Sequence, residues 1–168
     1  MRDPETGLGC QDVDLFRRVV EPLREKTDLL LCLTTSGIPG RNLPTEERLA
    51  PFALKPELAS LDAGSINLGG DVFLNPPSFL DEAANRMREA GVKPELEVFD
   101  MGMLMTSLRM RDEEKLRDPL HVQFVLGTPW GAPATPKSLL HLHDHLPPHA
   151  TLGSERGRSS VSSVDRLE

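Results

Sequence analysis

Leu29-Leu30-Leu31-Cys32-Leu33-Thr34-Thr35-Ser36-Gly37 decides the fold, because the same pattern returns three more times along the chain. Apolar residues run into hydroxyls, carboxylates or glycine at Leu58-Ala59-Ser60-Leu61-Asp62-Ala63-Gly64-Ser65, at Leu96-Glu97-Val98-Phe99-Asp100-Met101-Gly102 and at His121-Val122-Gln123-Phe124-Val125-Leu126-Gly127. Short apolar runs bounded by turn residues read as parallel strands, and strands this apolar predict cover on both faces of the sheet. Segments of helical length separate them. Right-handed βαβ units follow, and such folds gather their chemistry at the C-terminal ends of the strands.

The intervening segments carry a helical period. Over residues 12–26, Val13, Phe16, Val19, Val20 and Leu23 share one face, with Arg17, Arg18, Glu21 and Glu25 largely opposite. Thr45, followed by Glu46 and Glu47, predicts a capped helix reaching about Leu54. Ser78 with Asp81 predicts the next N-terminus, Phe79, Leu80, Ala83, Ala84 and Met87 its buried stripe, and Gly91 its stop. A more charged helix is expected from Leu104 to Leu116, and Thr135-Pro136 predicts the start of a last one reaching about His145. The class is therefore α/β with about four parallel strands. From Gly153 to Glu168, Ser154, Arg156, Arg158, Ser159, Ser160, Ser162 and Ser163 show no apolar period. That composition predicts one domain over 1–152 and a disordered Ser/Arg-containing tail over 153–168.

Composition narrows the function classes. The chain has 168 residues, with 19 Lys plus Arg against 26 Asp plus Glu. The net charge of −7 offers no footprint for nucleic acid or an anionic membrane. No apolar stretch approaches the roughly 20 residues that span a bilayer, and Met1-Arg2-Asp3-Pro4-Glu5 is unlike a signal peptide, so a cytoplasmic protein is expected. Cys10 and Cys32 fit neither a disulfide framework nor a CxxC metal site, which leaves reduced thiols.

Candidate chemistry follows from the strand ends. Thr34, Thr35, Ser36 and Gly37 could aim hydroxyl and backbone donors at a carboxylate or phosphate oxygen, or could simply form a turn. Ser60 and Asp62, with Ser65 and Asn67 beyond, suit ligand contact or a polar loop. Glu95 and Glu97 share one side of a strand by the period of two, and Asp100 points to the other. A semi-buried Glu97 needs a cation, a metal or a hydrogen-bond partner, and a salt bridge to a neighbouring strand would equally serve. His141-Leu142-His143-Asp144-His145, with His149 nearby, has the residue types of a metal site, but the helix start at Thr135-Pro136 favours solvated helix residues.

Six phrases, in order, resemble one known family. They are Arg2-Asp3-Pro4-Glu5-Thr6-Gly7, Thr34-Thr35-Ser36-Gly37, Glu46-Glu47-Arg48-Leu49-Ala50-Pro51, Ala59-Ser60-Leu61-Asp62-Ala63-Gly64-Ser65-Ile66-Asn67, Lys93-Pro94-Glu95-Leu96-Glu97-Val98-Phe99-Asp100 and Leu126-Gly127-Thr128-Pro129-Trp130-Gly131. From Arg2 to about Leu152 the chain is similar to the β-keto acid cleavage enzymes, typified by 3-keto-5-aminohexanoate cleavage enzyme of lysine fermentation. The resemblance implies a zinc-dependent (β/α)8 barrel, homo-oligomeric when complete, that converts a β-keto acid and acetyl-CoA into acetoacetate and a new acyl-CoA. It implies that Thr34 and Gly37 touch the substrate carboxylate, that Ser60 is a substrate-binding hydroxyl and that Glu97 is an active-site carboxylate.

The same resemblance implies what to expect of the metal. The family's His-x-His zinc pair lies immediately before the Arg-Asp-Pro phrase, where this sequence has only Met1, and its glutamate ligand belongs to a later strand. Zinc is therefore assigned to no residue here, His141 and His143 included. The expectation is a partial (β/α)8 barrel, about strands three to six with their helices, inactive by itself. The alternative is a non-catalytic half-barrel assembly or carboxylate-binding module.

Overall fold

The computed structural model describes residues 1–38 and 41–156. Asp12 opens α1 (Val13–Lys26), its carboxylate accepting hydrogen bonds from the backbone N–H groups of Asp14 and Leu15. Two otherwise unsatisfied helical donors are met in this way. Phe16 and Val20 pack with Leu31 and Leu54 in a small core, whereas Val19, expected on the same stripe, is 46% exposed. β1 is only Cys32–Leu33, so most of the Leu29–Gly37 run lies outside the ladder. Thr45 is the first residue of α2 (Thr45–Leu49) rather than its cap, and a 3-10 turn, Ala50–Leu54, continues the segment where one longer helix was expected.

After β2 (Leu58–Asp62) comes an antiparallel hairpin, β3 (Ile66–Leu68) and β4 (Asp71–Phe73), which no sequence period had predicted. Its turn uses Gly69 at a φ of 65°, which glycine adopts without steric cost. α3 (Pro77–Ala90) starts before the predicted Ser78, with Pro76 at the cap and Pro77 in the first turn. Proline suits that place because its missing N–H would have no helical partner there. Gly91 ends this helix at a φ of 72°, as predicted. β5 (Lys93–Val98) is followed by α4 (Met101–Asp112), β6 (His121–Leu126), α5 (Pro136–His143) and β7 (Thr151–Arg156). Asp100, expected on the strand, is corrected to the N-cap of α4, accepting the Met103 N–H at 2.9 Å. Thr135 caps α5 through the Ser138 N–H, in agreement with the sequence.

The strands form one parallel five-stranded sheet in the order β1-β2-β5-β6-β7. β7 is a fifth strand beyond the four expected. It also displaces the tail, whose predicted start at Gly153 lies inside a strand running to Arg156; the rest of that segment falls outside the described residues. Spatial order follows chain order without reversal, unlike a doubly wound sheet, where the order reverses at a switch point.

The two sheet faces differ in chemistry. Ala59, Leu61, Leu96, Val98, Val122 and Phe124 bury against Phe79, Leu80 and Met87 of α3, Met103 and Leu104 of α4, and Leu142 of α5. Register places Ser60 beside Glu95 and His121, and Asp62 beside Glu97 and Gln123, on the opposite face. Cover by helices on both faces, as the apolar runs suggested, is thus corrected: only alternate side chains are apolar, and the polar set faces inward on an arc of an incomplete (β/α)8 barrel.

Candidate active site

The polar face is built by register. Parallel strands held level bring side chains of equal parity into rows, so Ser60, Glu95, His121 and Thr151 form one row, and Asp62, Glu97, Gln123 and Gly153 the next toward the strand C-termini. In the first row, Glu95 lies 3.4 Å from His121 Nε2 and accepts from Cys32 Sγ at 3.4 Å, and His121 Nδ1 meets the Thr151 hydroxyl at 2.7 Å. Glu95 makes with His121 a cross-strand pair of the kind considered for Glu97. Burial and the nearby Glu95 and Glu97 carboxylates push the Cys32 thiol up to about 12, so it stays neutral.

In the second row Asp62 is buried and Glu97 half-buried, directly opposite each other at the C-terminal ends of β2 and β5. Burial raises Asp62 to about 6, opposed by a hydrogen bond with Glu97 and by the charge of Arg48. The folded state therefore binds this proton more tightly than the unfolded chain, whose ordinary value is 3.8. The stability from this group is complete below about pH 4 and is lost as pH rises through about 6. Urea unfolding from pH 4 to pH 7 is expected to show wild-type stability declining relative to Asp62→Asn across that window.

Arg48, on α2, is the organising residue that the sequence did not single out. It is 5% exposed. Its Nε donates to Thr35 O and its Nη1 to Leu74 O, each at 2.9 Å, and its Nη2 to Asn75 Oδ1. The guanidinium lies 3.5 Å from the centre of the Phe79 ring and 5.4 Å from that of Phe73. Asn75, also buried, passes the tie onward, its side-chain amide donating to Gly64 O and its backbone N–H donating to Ser65 Oγ. Thr35 Oγ1 closes the set on Ser60 O at 2.8 Å. One buried cation thereby joins the loops that follow β1, β2 and β4. The only available signal was its place beside buried Leu49, Pro51 and Phe52, since a charged residue on a short helix ordinarily faces water.

The predicted site residues fall into two groups. Ser60 and Glu97 sit on the inner face, in adjacent rows. Thr34 and Gly37 belong to the loop that Arg48 holds, where the Thr34 hydroxyl accepts from Ser36 N–H at 3.0 Å, as in an ordinary turn. A Cβ on Gly37 would come within 3.2 Å of the Arg48 guanidinium carbon, so glycine is what admits the arginine. His141, His143 and His145 are exposed around the end of α5, with the His141 and His145 rings 5.2 Å apart.

The loop after β6 is tied to β5. Ala132 N–H donates to Phe99 O at 2.7 Å, and Gly127 N–H to Ala132 O at 2.8 Å. A Cβ at Gly131 would stand 2.9 Å from Phe99 O and 2.5 Å from Thr128 Oγ1. Gly131→Ala is therefore expected to displace this loop and to cost about 1–3 kcal/mol, read from the urea midpoint.

A parallel barrel arc with a carboxyl pair and a serine at its strand ends has the architecture of (β/α)8 enzymes, whose sites lie on that face. The family model described as beta-keto acid cleavage enzyme matches residues 1–163. The chain belongs to the β-keto acid cleavage enzyme family. It is 37% identical over 145 residues to 3-keto-5-aminohexanoate cleavage enzyme of Acetoanaerobium sticklandii, covering 85% of this chain and 52% of that protein. It is 34% identical over 184 residues to 3-dehydrocarnitine:acetyl-CoA trimethylamine transferase of Rhizobium meliloti, covering 96% of this chain and 61% of that protein. The chain thus spans about half to three-fifths of the length of these relatives. A solved apo structure of ObcA shares the fold, with a TM-score of 0.61 and 23% identity over 71% of this chain and 26% of that one.

Proposed function

We propose that these strands carry part of a site in which a β-keto acid and acetyl-CoA yield acetoacetate and a new acyl-CoA. The observation that carries the reading is the inner-face row of Ser60, Asp62 and Glu97 at the C-terminal ends of β2 and β5. In this reading the Thr34–Gly37 loop receives the substrate carboxylate, Ser60 hydrogen-bonds the substrate, and Glu97 exchanges a proton with it. Zinc would be the family's electrophile. Among the described residues no three His, Cys, Asp or Glu side chains are arranged to hold a metal ion, so the residues present do not fit that group and no step is assigned to it. The chain by itself is expected to turn over little or nothing, because the charge developing at the keto oxygen lacks that stabilisation.

Two measurements test this. Excess acetoacetate is expected to shift the amide resonances of Thr34, Ser60 and Glu97, and shifts confined to other regions would sink the pocket assignment. Incubation with acetyl-CoA and a panel of β-keto acids is expected to form no acetoacetate, with no bound zinc after dialysis. Stoichiometric zinc with turnover would place the whole reaction in this chain.

A second reading, an assembly or binding module completed by another half barrel, rests on the two edge strands that the sheet has among the described residues. β1 and β7 lie at the two ends of the sheet order, and Leu29 and Leu30, just before β1, are 62% and 74% exposed. A gain of folded signal with protein concentration would favour it and would fit the family's expected homo-oligomer. A cytoplasmic setting belongs to the proposal too. No helix among the described residues is long and apolar enough to cross a membrane.

A further inference from the structure

A cavity of about 280 Å³ opens beside the first residues of β5, at the opposite end of that strand from the candidate active site. Its floor belongs to the core, for Met87, Val92 and Leu116 are all buried. Its rim is cationic: Arg88, Lys93, Lys115 and Arg117 stand against one carboxylate, Asp118. The chain as a whole has the reverse balance, 26 acidic against 19 basic residues. The walls are tied in place. Val92 N–H donates to Met87 O at 2.9 Å where α3 ends, and the Lys115 and Leu116 N–H groups both donate to Met110 O, at 2.9 and 3.3 Å. Lys93 Nζ donates to Arg117 O at 3.3 Å and to Pro119 O, which fixes the connection from α4 to β6 against β5. The cavity is therefore formed before any ligand arrives, and little ordering entropy opposes binding there.

Structural roles account for only part of this rim. Lys115 bridges Asp81 at 2.7 Å and Glu113 at 2.8 Å, so its charge is already compensated. Arg88 stands in the last turn of α3, where a cation offsets the helix dipole, and gives one N–H to Asn85 Oδ1 at 2.8 Å. Lys93 uses two of its three ammonium donors on carbonyls; burial lowers it from its ordinary value of 10.5, and the Asp118 charge acts the other way. Among the described residues the Arg117 guanidinium has no hydrogen-bond or ion-pair partner. An uncommitted planar fork, a partly committed one and a spare ammonium N–H thus line one cavity, over an apolar floor.

We propose that this cavity binds a small organic phosphate, with Arg117, Arg88 and Lys93 meeting the phosphate oxygens and the organic body resting on Met87, Val92 and Leu116. The three cations come from three elements: the end of α3, the start of β5 and the α4–β6 connection. A phosphate monoester has three terminal oxygens to offer them, whereas a carboxylate has two, and guanidinium forks match phosphate in a bidentate way. Inorganic phosphate would leave the apolar floor uncovered, so the organic body adds the burial that the free ion lacks. The site shares no residue with the inner-face rows and stands whether or not the β-keto acid chemistry does.

Amide NMR titrations of the full chain test the site, at constant ionic strength and at about pH 7.5, where phosphate monoesters are largely dianions. The probes are phenyl phosphate, inorganic phosphate, benzoate and phenol. Phenyl phosphate is expected to shift the amides of Arg88, Val92, Lys93 and Leu116 and to bind about tenfold tighter than inorganic phosphate or benzoate, with phenol leaving these amides unmoved. Arg117→Ala is expected to weaken phenyl phosphate about tenfold, and Arg88→Ala to weaken it less, because one of its donors is committed to Asn85. Both residues are exposed, so each variant should keep the wild-type urea midpoint. Arg18→Ala, which removes an exposed cation from α1, is expected to leave binding unchanged. Unmoved cavity amides, or a folded Arg117→Ala that binds as the wild type does, would overturn the site. Benzoate or inorganic phosphate binding as tightly as phenyl phosphate would overturn the choice of an organic phosphate, and phenol doing so would remove the cations from recognition.

Discussion

Arg48→Ala is expected to lower the unfolding free energy by about 3–5 kcal/mol, the range for breaking a buried charged group out of its set of partners. The substitution strips donors from Thr35 O, Leu74 O and Asn75 Oδ1, and each unpaired buried acceptor costs about 1–3 kcal/mol. It also removes the cation stacked on Phe79 and the positive charge that acts on Asp62. Urea denaturation should show the midpoint falling by roughly 1–3 M. Arg48→Lys keeps the charge but not the planar fork, and should recover roughly half of the loss. A midpoint within about 0.3 M of wild type for Arg48→Ala would mean that the three loops are held by other contacts. Because these loops carry Thr34, Gly37 and Ser65, the amide shifts caused by acetoacetate should also disappear from the Thr34–Gly37 loop while the outer core stays folded.

Phe124→Ala should cost about 3–5 kcal/mol for a different reason. Phe124 is completely buried on the helix-covered face of β6, in one core with Leu61, Leu96, Val98 and Val122. Removing the ring leaves a cavity that close-packed neighbours fill only in part. The same strand presents His121 and Gln123 on the other face, so the apolar side of β6 is what holds the polar side in register. The expected signature is a lowered urea midpoint together with a changed His121 environment, since that ring is fixed by Glu95 and Thr151 across the ladder. A loss below about 1 kcal/mol would imply that α3 and α4 collapse onto the vacated space.

Most strands and helices were legible from local pattern. Gly91 and Thr135 mark helix ends through side-chain or backbone chemistry that acts within a few residues, and the structure follows them. Where two local signals competed, sequence misled: Ser78 looked like the better cap, but proline in the first turn moved the start of α3 earlier. Asp100 had the residue type of either a strand end or a cap. The β3–β4 hairpin is too short to show a period, and Thr151–Arg156 looks polar along its length, so strand pairing rather than composition reveals both.

By itself, then, the sequence determined the alternation of strands and helices, the family through its ordered phrases, and the parity that sets Glu95 and Glu97 on one side of β5. Each depends on residues near one another along the chain. Only the tertiary structure decided which neighbours those carboxylates meet. Ladder register gives Glu95 to His121 and sets Asp62 against Glu97. The packing of α2 against the β1 loop and β4 buries Arg48 behind them. Register and burial arise from contacts between residues far apart in sequence, and the charge state of a carboxyl follows from those contacts rather than from its own residue type.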